Sequence, residues 1–323
     1  IKAAALNFFD ILMVQGKYQT KPPFPFSPAA EVAGVIESVG PGVTDLKAGD
    51  RVISSIGFNG AREKVAAPAA MTVKIPDSLD YDRAAGIILI YSTALHALED
   101  RASPKPGETL VVLGAAGGTG LAAIEIGKLM GLKVIACASS DDKLEFCRQH
   151  GADILFNYAK EDLKDALKKV GGEKGIDIVF DPVGGSYAEI GVRSLGWKGR
   201  FLVIGFAAGD IPKIPLNLAL LKGCDIRGVF WGAHMRREPA AGKAALEKIH
   251  NDKHRIKVTL ELVSAETSLP PMPPKAPAWW RSASRPASGA VTPTASGQSV
   301  SSSPLSATVR PSTFCSRKGS DIQ

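Results

Sequence analysis

The spacing of apolar positions divides the chain into two unlike parts. Up to about residue 88, apolar residues come in short runs broken by turn chemistry, without alternation of strand and helix. Residues 31–40 read as a strand carrying small residues, 41–45 as a turn, and 49–53 as the start of another strand. Pro22, Pro23, Pro25 and Pro28 mark an ordered or polyproline-like loop. From about residue 91 the period changes. Helices are predicted over 93–101, 121–130, 142–150, 161–170, 188–195 and 239–250. Between and beyond them lie strands over 109–113, 133–138, 153–156, 177–180, 200–205, 224–230 and 255–262. Regular alternation with short connections specifies an α/β fold with a doubly wound parallel sheet.

After about residue 269 the apolar periodicity disappears. Residues 270–323 hold 12 serines and 9 prolines. Such a segment buries too little surface to offset its ordering entropy, so 269–323 is expected to be disordered. An ordinary low-complexity tail and a shifted reading frame or mis-spliced exon account for this composition equally well.

The tail also alters the reading of charge. Six of the Lys/Arg residues and one acid lie beyond residue 269, so +5 of the net +7 belongs there. The remainder is near neutral and gives no reason to expect nucleic-acid binding. Cys137, Cys147, Cys224 and Cys315 show no paired spacing, which fits reduced thiols in an intracellular, cytoplasmic setting. A mitochondrial address upstream stays open, because the first residue is Ile1 and a fragment or processed form is expected. No apolar run reaches the ~18 residues of a membrane span.

The strand over 109–113 runs into Gly114-Ala115-Ala116-Gly117-Gly118-Thr119-Gly120 and then a helix. Strand, glycine turn and helix form a phosphate-binding arrangement: glycine lets the backbone turn tightly and approach a pyrophosphate closely, and the N–H groups opening the helix donate to it. Ala116, Gly117, Gly118, Thr119 and Gly120 are therefore candidate cofactor-binding residues. Alone, the triad describes any tight strand-to-helix turn. The next strand ends in Ser139-Ser140 with Lys143 close behind. A carboxylate there selects the ribose hydroxyls of NAD, whereas hydroxyls and a lysine suit a 2′-phosphate, so NADPH is favoured. Asp141 and Asp142 leave a ribose contact open.

Asn7-Phe8-Phe9-Asp10, Gly16-Lys17-Tyr18, Glu31-Val32-Ala33-Gly34, Val39-Gly40-Pro41-Gly42-Val43, Gly49-Asp50-Arg51-Val52, the glycine turn and Asp181-Pro182-Val183-Gly184-Gly185 occur in that order. Together they resemble the zinc-independent quinone oxidoreductase branch of the medium-chain dehydrogenase/reductase superfamily. Gly228-Val229-Phe230-Trp231-Gly232 is similar to a quinone oxidoreductase-like subgroup. The resemblance covers about residues 1–250. It implies a partial GroES-like β-barrel catalytic domain (1–88, N-terminally incomplete), a Rossmann NADPH-binding domain (89–230) and a return segment toward the catalytic domain (231–268). It also implies a homodimer joined through the Rossmann sheet edge, residues 221–230 here.

The same resemblance assigns roles. Zinc-dependent relatives use a His where this chain has Ala30, and no Cys or His lies near residues 7–10, so no metal is expected. Asn7, Asp10 and Tyr18 line the cleft beside the nicotinamide as candidate catalytic residues, Tyr18 donating to an oxygen that gains charge. Thr93, Tyr158, Gly205, Phe206 and Phe230 join the cofactor-binding set. Each has a plainer alternative: Tyr18 a core aromatic, Asp10 a turn or cap residue, Thr93 a helix N-cap, Lys143 a solvated helix residue, Tyr158 a surface aromatic, and Phe206 and Phe230 core packing. The implied activity is hydride transfer from NADPH to a quinone or an activated alkene or enone. A catalytically weak structural or RNA-binding protein on the same fold is the alternative.

Overall fold

The computed structural model describes residues 1–250. A four-stranded antiparallel sheet is built from β1 (Ala3–Ala5), β2 (Glu31–Val35), β3 (Arg51–Ser55) and β4 (Thr72–Lys74), paired in that order. Two short helices interrupt the β-rich region, where none was expected. In α1 (Phe8–Val14), the Asp10 carboxylate takes the Asn7 N–H at 2.8 Å, satisfying an otherwise orphan donor at the helix start. In α2 (Tyr81–Ala85), Asp80 does the same for the Arg83 N–H.

Helix α3 (Ile88–Leu95) begins five residues before the predicted start at 93. Its cap comes from outside its own sequence: the Leu89 N–H donates to Glu31 Oε2 on β2 at 2.7 Å. A π-helical turn, His96–Ala102, then ends at Ser103, whose φ is +47° and whose N–H bonds Leu98 O.

The α/β half follows the predicted alternation, with ends shifted by a few residues. It comprises β5 (Thr109–Leu113), α4 (Gly118–Leu129), β6 (Lys133–Ala138), α5 (Asp141–Gln149), β7 (Ile154–Asn157), α6 (Leu163–Gly171) and β8 (Ile176–Asp181). Then come α7 (Ser186–Ser194), β9 (Leu195–Val203), α8 (Asn217–Lys222) and β10 (Asp225–Gly228). β9 starts earlier than expected because Gly196, Lys198 (φ +60°) and Gly199 carry an irregular stretch that pairs out of register with β8. The sheet runs β10-β9-β8-β5-β6-β7, with every pairing parallel. Strand order reverses at β5, so the crevice beyond its carboxyl end is where such a sheet takes a ligand.

Helices α9 (Trp231–Arg237) and α10 (Pro239–His250) follow. Trp231, Met235 and Leu246 share one core with Ala33, Ile53 and Val73 of the antiparallel sheet and Ile88 of α3. His234 stacks on His96 of the π turn, with ring centroids 4.2 Å apart. The predicted strand over 255–262, the remainder of the 231–268 segment and the 269–323 tail lie outside the described residues.

Candidate cofactor and substrate cleft

β5 delivers the chain to the crevice through Val111, Val112 and Leu113, all buried. Gly114 then turns with φ +59°, where a Cβ would stand 2.8 Å from Val183 Cγ2. Gly117 is the N-cap of α4, so Gly118, Thr119 and Gly120 form its first turn rather than a loop before it. Their N–H groups have no intrahelical acceptor and carry the positive end of the helix dipole. A Cβ on Gly120 would lie 2.6 Å from the Ala115 carbonyl oxygen and 2.7 Å from that of Gly114. The backbone is folded tightly enough to exclude any side chain there, a cradle of the kind a dinucleotide pyrophosphate occupies.

Four of the predicted cofactor residues meet beyond β6. Ser140 caps α5, its Oγ accepting from Lys143 N. Lys143 Nζ reaches Ser139 Oγ at 3.5 Å, and Ser139 also hydrogen-bonds Tyr158, which follows β7 and packs on Tyr187. Burial pushes the Tyr158 hydroxyl above its ordinary pKa, so it stays a donor. Asp141 is already committed: it accepts from Asn157 Nδ2 at 2.6 Å and Lys160 Nζ at 2.5 Å, and the lysine holds its carboxyl below the usual range. A carboxylate neutralised in this way offers little repulsion to a 2′-phosphate. These residues therefore fit NADPH.

At the middle of the sheet, Asp181 ends β8 as a buried carboxylate accepting from Val183 N and Gly184 N, each at 2.8 Å. Its burial raises its pKa, opposed by those two bonds. The Asp181 carbonyl accepts from Ile204 N and Gly205 N, which brings Gly205-Phe206 back over Pro182 and Gly184. Phe206 lies 2.9 Å from where a Cβ on Gly184 would be. Phe230 follows β10, 47% exposed, with the Arg236 guanidinium 5.9 Å from its ring centroid. Thr93 sits in the last turn of α3 and is not its N-cap.

The opposite rim comes from the first 35 residues. Both Asp10 oxygens are occupied, one by Asn7 N and the other by Ala29 N at 2.9 Å, and the residue is 2% exposed. Asp10 thus fastens two loops, one of them carrying Ala29 at φ +72°. The Asn7 side-chain amide donates to Glu31 Oε1 at 2.8 Å. Glu31 therefore links β2, the α1 cap and the start of α3, and its burial pushes the carboxyl up to about 7, opposed by the bonds from Asn7 and Leu89. Tyr18 packs on Phe9 at 5.1 Å between centroids. Its hydroxyl makes no hydrogen bond among the described residues, and its pKa is raised by burial, with Arg236 pulling the other way.

Sequence reading treated Glu31 only as a buried acid, took Asp181 as part of a motif without a site role, and gave Arg236 none. For Glu31 nothing local marks the role, because the Leu89 N–H it accepts from lies 58 residues away on another segment. Among the described residues no group of three or more His, Cys, Asp or Glu side chains is placed to hold a metal ion.

Two family models match: the alcohol dehydrogenase GroES-like domain over residues 1–77 and the zinc-binding dehydrogenase domain over 118–249. Quinone oxidoreductase-like protein 2 of Rattus norvegicus is 41% identical over 234 residues, 72% of this chain and 67% of the relative. Human quinone oxidoreductase is 35% identical over 248 residues, covering 76% and 75%. Among solved structures, Escherichia coli quinone oxidoreductase complexed with NADPH matches with a TM-score of 0.73 at 27% identity over 80% of each chain. Ordered motifs, a Rossmann-type sheet beside an antiparallel GroES-like one, and this degree of identity across both lead to one conclusion: the chain belongs to the quinone oxidoreductase family of the medium-chain dehydrogenase/reductase superfamily.

Proposed function

We propose that this protein is an NADPH-dependent reductase that transfers a hydride to a quinone or an activated alkene or enone. The observation that carries the reading is the pairing of the side-chain-excluding turn at Gly114–Gly120 with the Ser139–Lys143–Tyr158 cluster beyond β6. The first suits a pyrophosphate and the second a 2′-phosphate, and the E. coli relative is known as an NADPH complex.

NADPH, when bound, supplies the hydride. The chain's own residues position and polarise. Gly118, Thr119 and Gly120 N–H groups hold the pyrophosphate, while Ala116 and Gly117 give the backbone its close approach. Ser139, Ser140, Lys143 and Tyr158 take the adenosine end. Thr93, Gly205, Phe206 and Phe230 wall the nicotinamide end and keep water out. Tyr18, protonated at neutral pH, donates to the acceptor oxygen that gains negative charge. Asn7 is the polar group beside it, oriented by Glu31. Asp10 serves by position, holding the Asn7 and Ala29 loops together.

We also infer a homodimer. β10 is an edge of the parallel sheet among the described residues, and Leu216, Leu220, Leu221 and Ile226 beside it are exposed. No described helix is long and apolar enough to cross a membrane.

The test is steady-state NADPH oxidation with 9,10-phenanthrenequinone and with a 2-alkenal. Turnover of either, with NADPH preferred over NADH, is the expected result. Tight NADPH binding without oxidation by any such acceptor would leave a cofactor-binding protein and overturn the reductase reading.

A further inference from the structure

Arg236 has no ion-pair partner and no hydrogen bond among the described residues. None of the salt bridges among the described residues includes it. Arg236 is exposed, whereas the half-buried His234 of the same helix lies 3.5 Å from Glu238, and the arginines flanking the sheet, Arg200 and Arg227, have Glu108 and Asp225. Arg236 instead extends over Phe230, the aromatic that walls the nicotinamide end, at 5.9 Å from its ring centroid.

The opposite rim carries a second free donor. The Tyr18 hydroxyl is likewise unbonded among the described residues, and its pKa is raised by burial and pulled down by the Arg236 guanidinium. Asp10, whose charge also bears on Tyr18, is buried and accepts from the backbone N–H groups of Asn7 and Ala29. A neutral quinone needs one donor at its developing oxyanion. This cleft presents a neutral donor and, beside it, a permanent cation without a counter-ion among the described residues. Arginine's planar fork matches a carboxylate or sulfonate.

We propose that Arg236 is a specificity-determining residue that selects acceptors bearing an anionic group separate from the reactive double bond. It is a deeper reading of the proposed reductase activity and rests on it. The acceptor's carbonyl meets Tyr18 and its carboxylate or sulfonate meets Arg236. The acceptor gains one hydride, two electrons with their hydrogen nucleus, from NADPH at the alkene carbon remote from its ketone. A proton from solvent completes the neighbouring carbon, and NADP+ leaves.

A matched pair of probes isolates the charge: 4-oxo-4-phenylbut-2-enoate and its methyl ester, the same enone with and without the anion. In the full-length wild-type protein the acid is expected to exceed the ester in kcat/KM by about tenfold, the value of one charge-assisted hydrogen bond. Arg236→Met is expected to lower the acid-to-ester ratio at least tenfold, mainly through KM for the acid, and Arg236→Lys to restore part of it. The saturated product 4-oxo-4-phenylbutanoate, titrated calorimetrically into the NADP+ complex, is expected to bind more weakly to Arg236→Met by a similar factor. An unchanged ratio in Arg236→Met overturns the proposal. So does a fall in NADPH affinity as large as the fall in ratio, which would place the guanidinium on the cofactor. If neither acid nor ester is reduced although NADPH binds, the reductase reading itself fails and takes this proposal with it. If the ester is reduced faster than the acid by wild type, the reductase reading stands and only the role of Arg236 falls.

Discussion

The proposed cofactor side and the proposed substrate rim of this cleft are built by different means. The cofactor side is made of backbone. Its main feature, the turn from β5 into α4, holds its shape because consecutive carbonyls and a helix start occupy the space a side chain at Gly120 would need. Every residue involved lies within seven positions of the others. The substrate rim is made of side chains from three distant segments: Asn7 beside Asp10, Glu31 on β2, and the start of α3 at Leu89. A backbone cradle tolerates few substitutions but depends on nothing far away. A rim tied by a buried carboxyl depends on the protonation of a single group. The two halves of one site should therefore respond to different perturbations, the first to added volume and the second to pH.

The largest expected effect is on the rim. Glu31 titrates near 4.5 when unfolded and near 7 in the folded chain. Between those values the folded state holds the extra proton, so stability falls as pH rises through this window and levels off above it. The loss amounts to about 3 kcal/mol. In Glu31→Gln, with the Asn7 amide turned to accept, that loss is absent. The stability of the variant relative to wild type should climb by that amount from pH 4.5 to 7.5 in parallel denaturant melts. A flat difference would show that the rim is not tied by a titrating carboxyl.

Gly120→Ala acts on the other half. A Cβ within 2.7 Å of two backbone oxygens has no side chain to push aside, so the turn itself must move. NADPH affinity should fall about 100-fold in a fluorescence titration, with pH dependence of stability unchanged from wild type. If Gly120→Ala binds normally, the cradle is not backbone-built and the contrast collapses.

Two smaller changes sharpen the contrast. Lys143→Met removes the one cation bonded to Ser139. It should cost about tenfold in NADPH affinity and almost nothing in NADH affinity, read from paired titrations. Ala29→Gly relieves a left-handed alanine that the Asp10 carboxylate holds in place. It should stabilise the protein by at most ~1 kcal/mol, a rise of a few degrees in Tm by calorimetry.

Much of the fold was legible along the chain. Buried parallel strands are continuous apolar runs, and Val111 to Leu113 or Val134 to Ala138 announce themselves wherever they lie. The helix over 239–250 has the predicted ends. The starts of α3 and α4 were misplaced for physical reasons. Glycine scores poorly in a helix, so Gly118–Gly120 read as loop, although the first turn tolerates residues whose N–H groups are left free for a ligand. The start of α3 is set by a carboxylate from β2, and no local pattern carries that information. Helix α1 escaped notice because its seven residues are too few to show a period and it is held by Asp10.

The division recurs in the chemistry. The sequence by itself determined the α/β alternation, the tight glycine turn from strand to helix and the hydroxyl-and-lysine end of the second strand. Each is a matter of residues close in the chain, where spacing fixes geometry. Tertiary structure alone decided that Asp10 is a fastener, that Glu31 caps a helix 58 residues away while holding Asn7, and that Arg236 reaches Phe230 with no acid among the described residues to meet it. Those outcomes depend on burial and on which charges end up adjacent, and both are set only when the two sheets and their helices have packed.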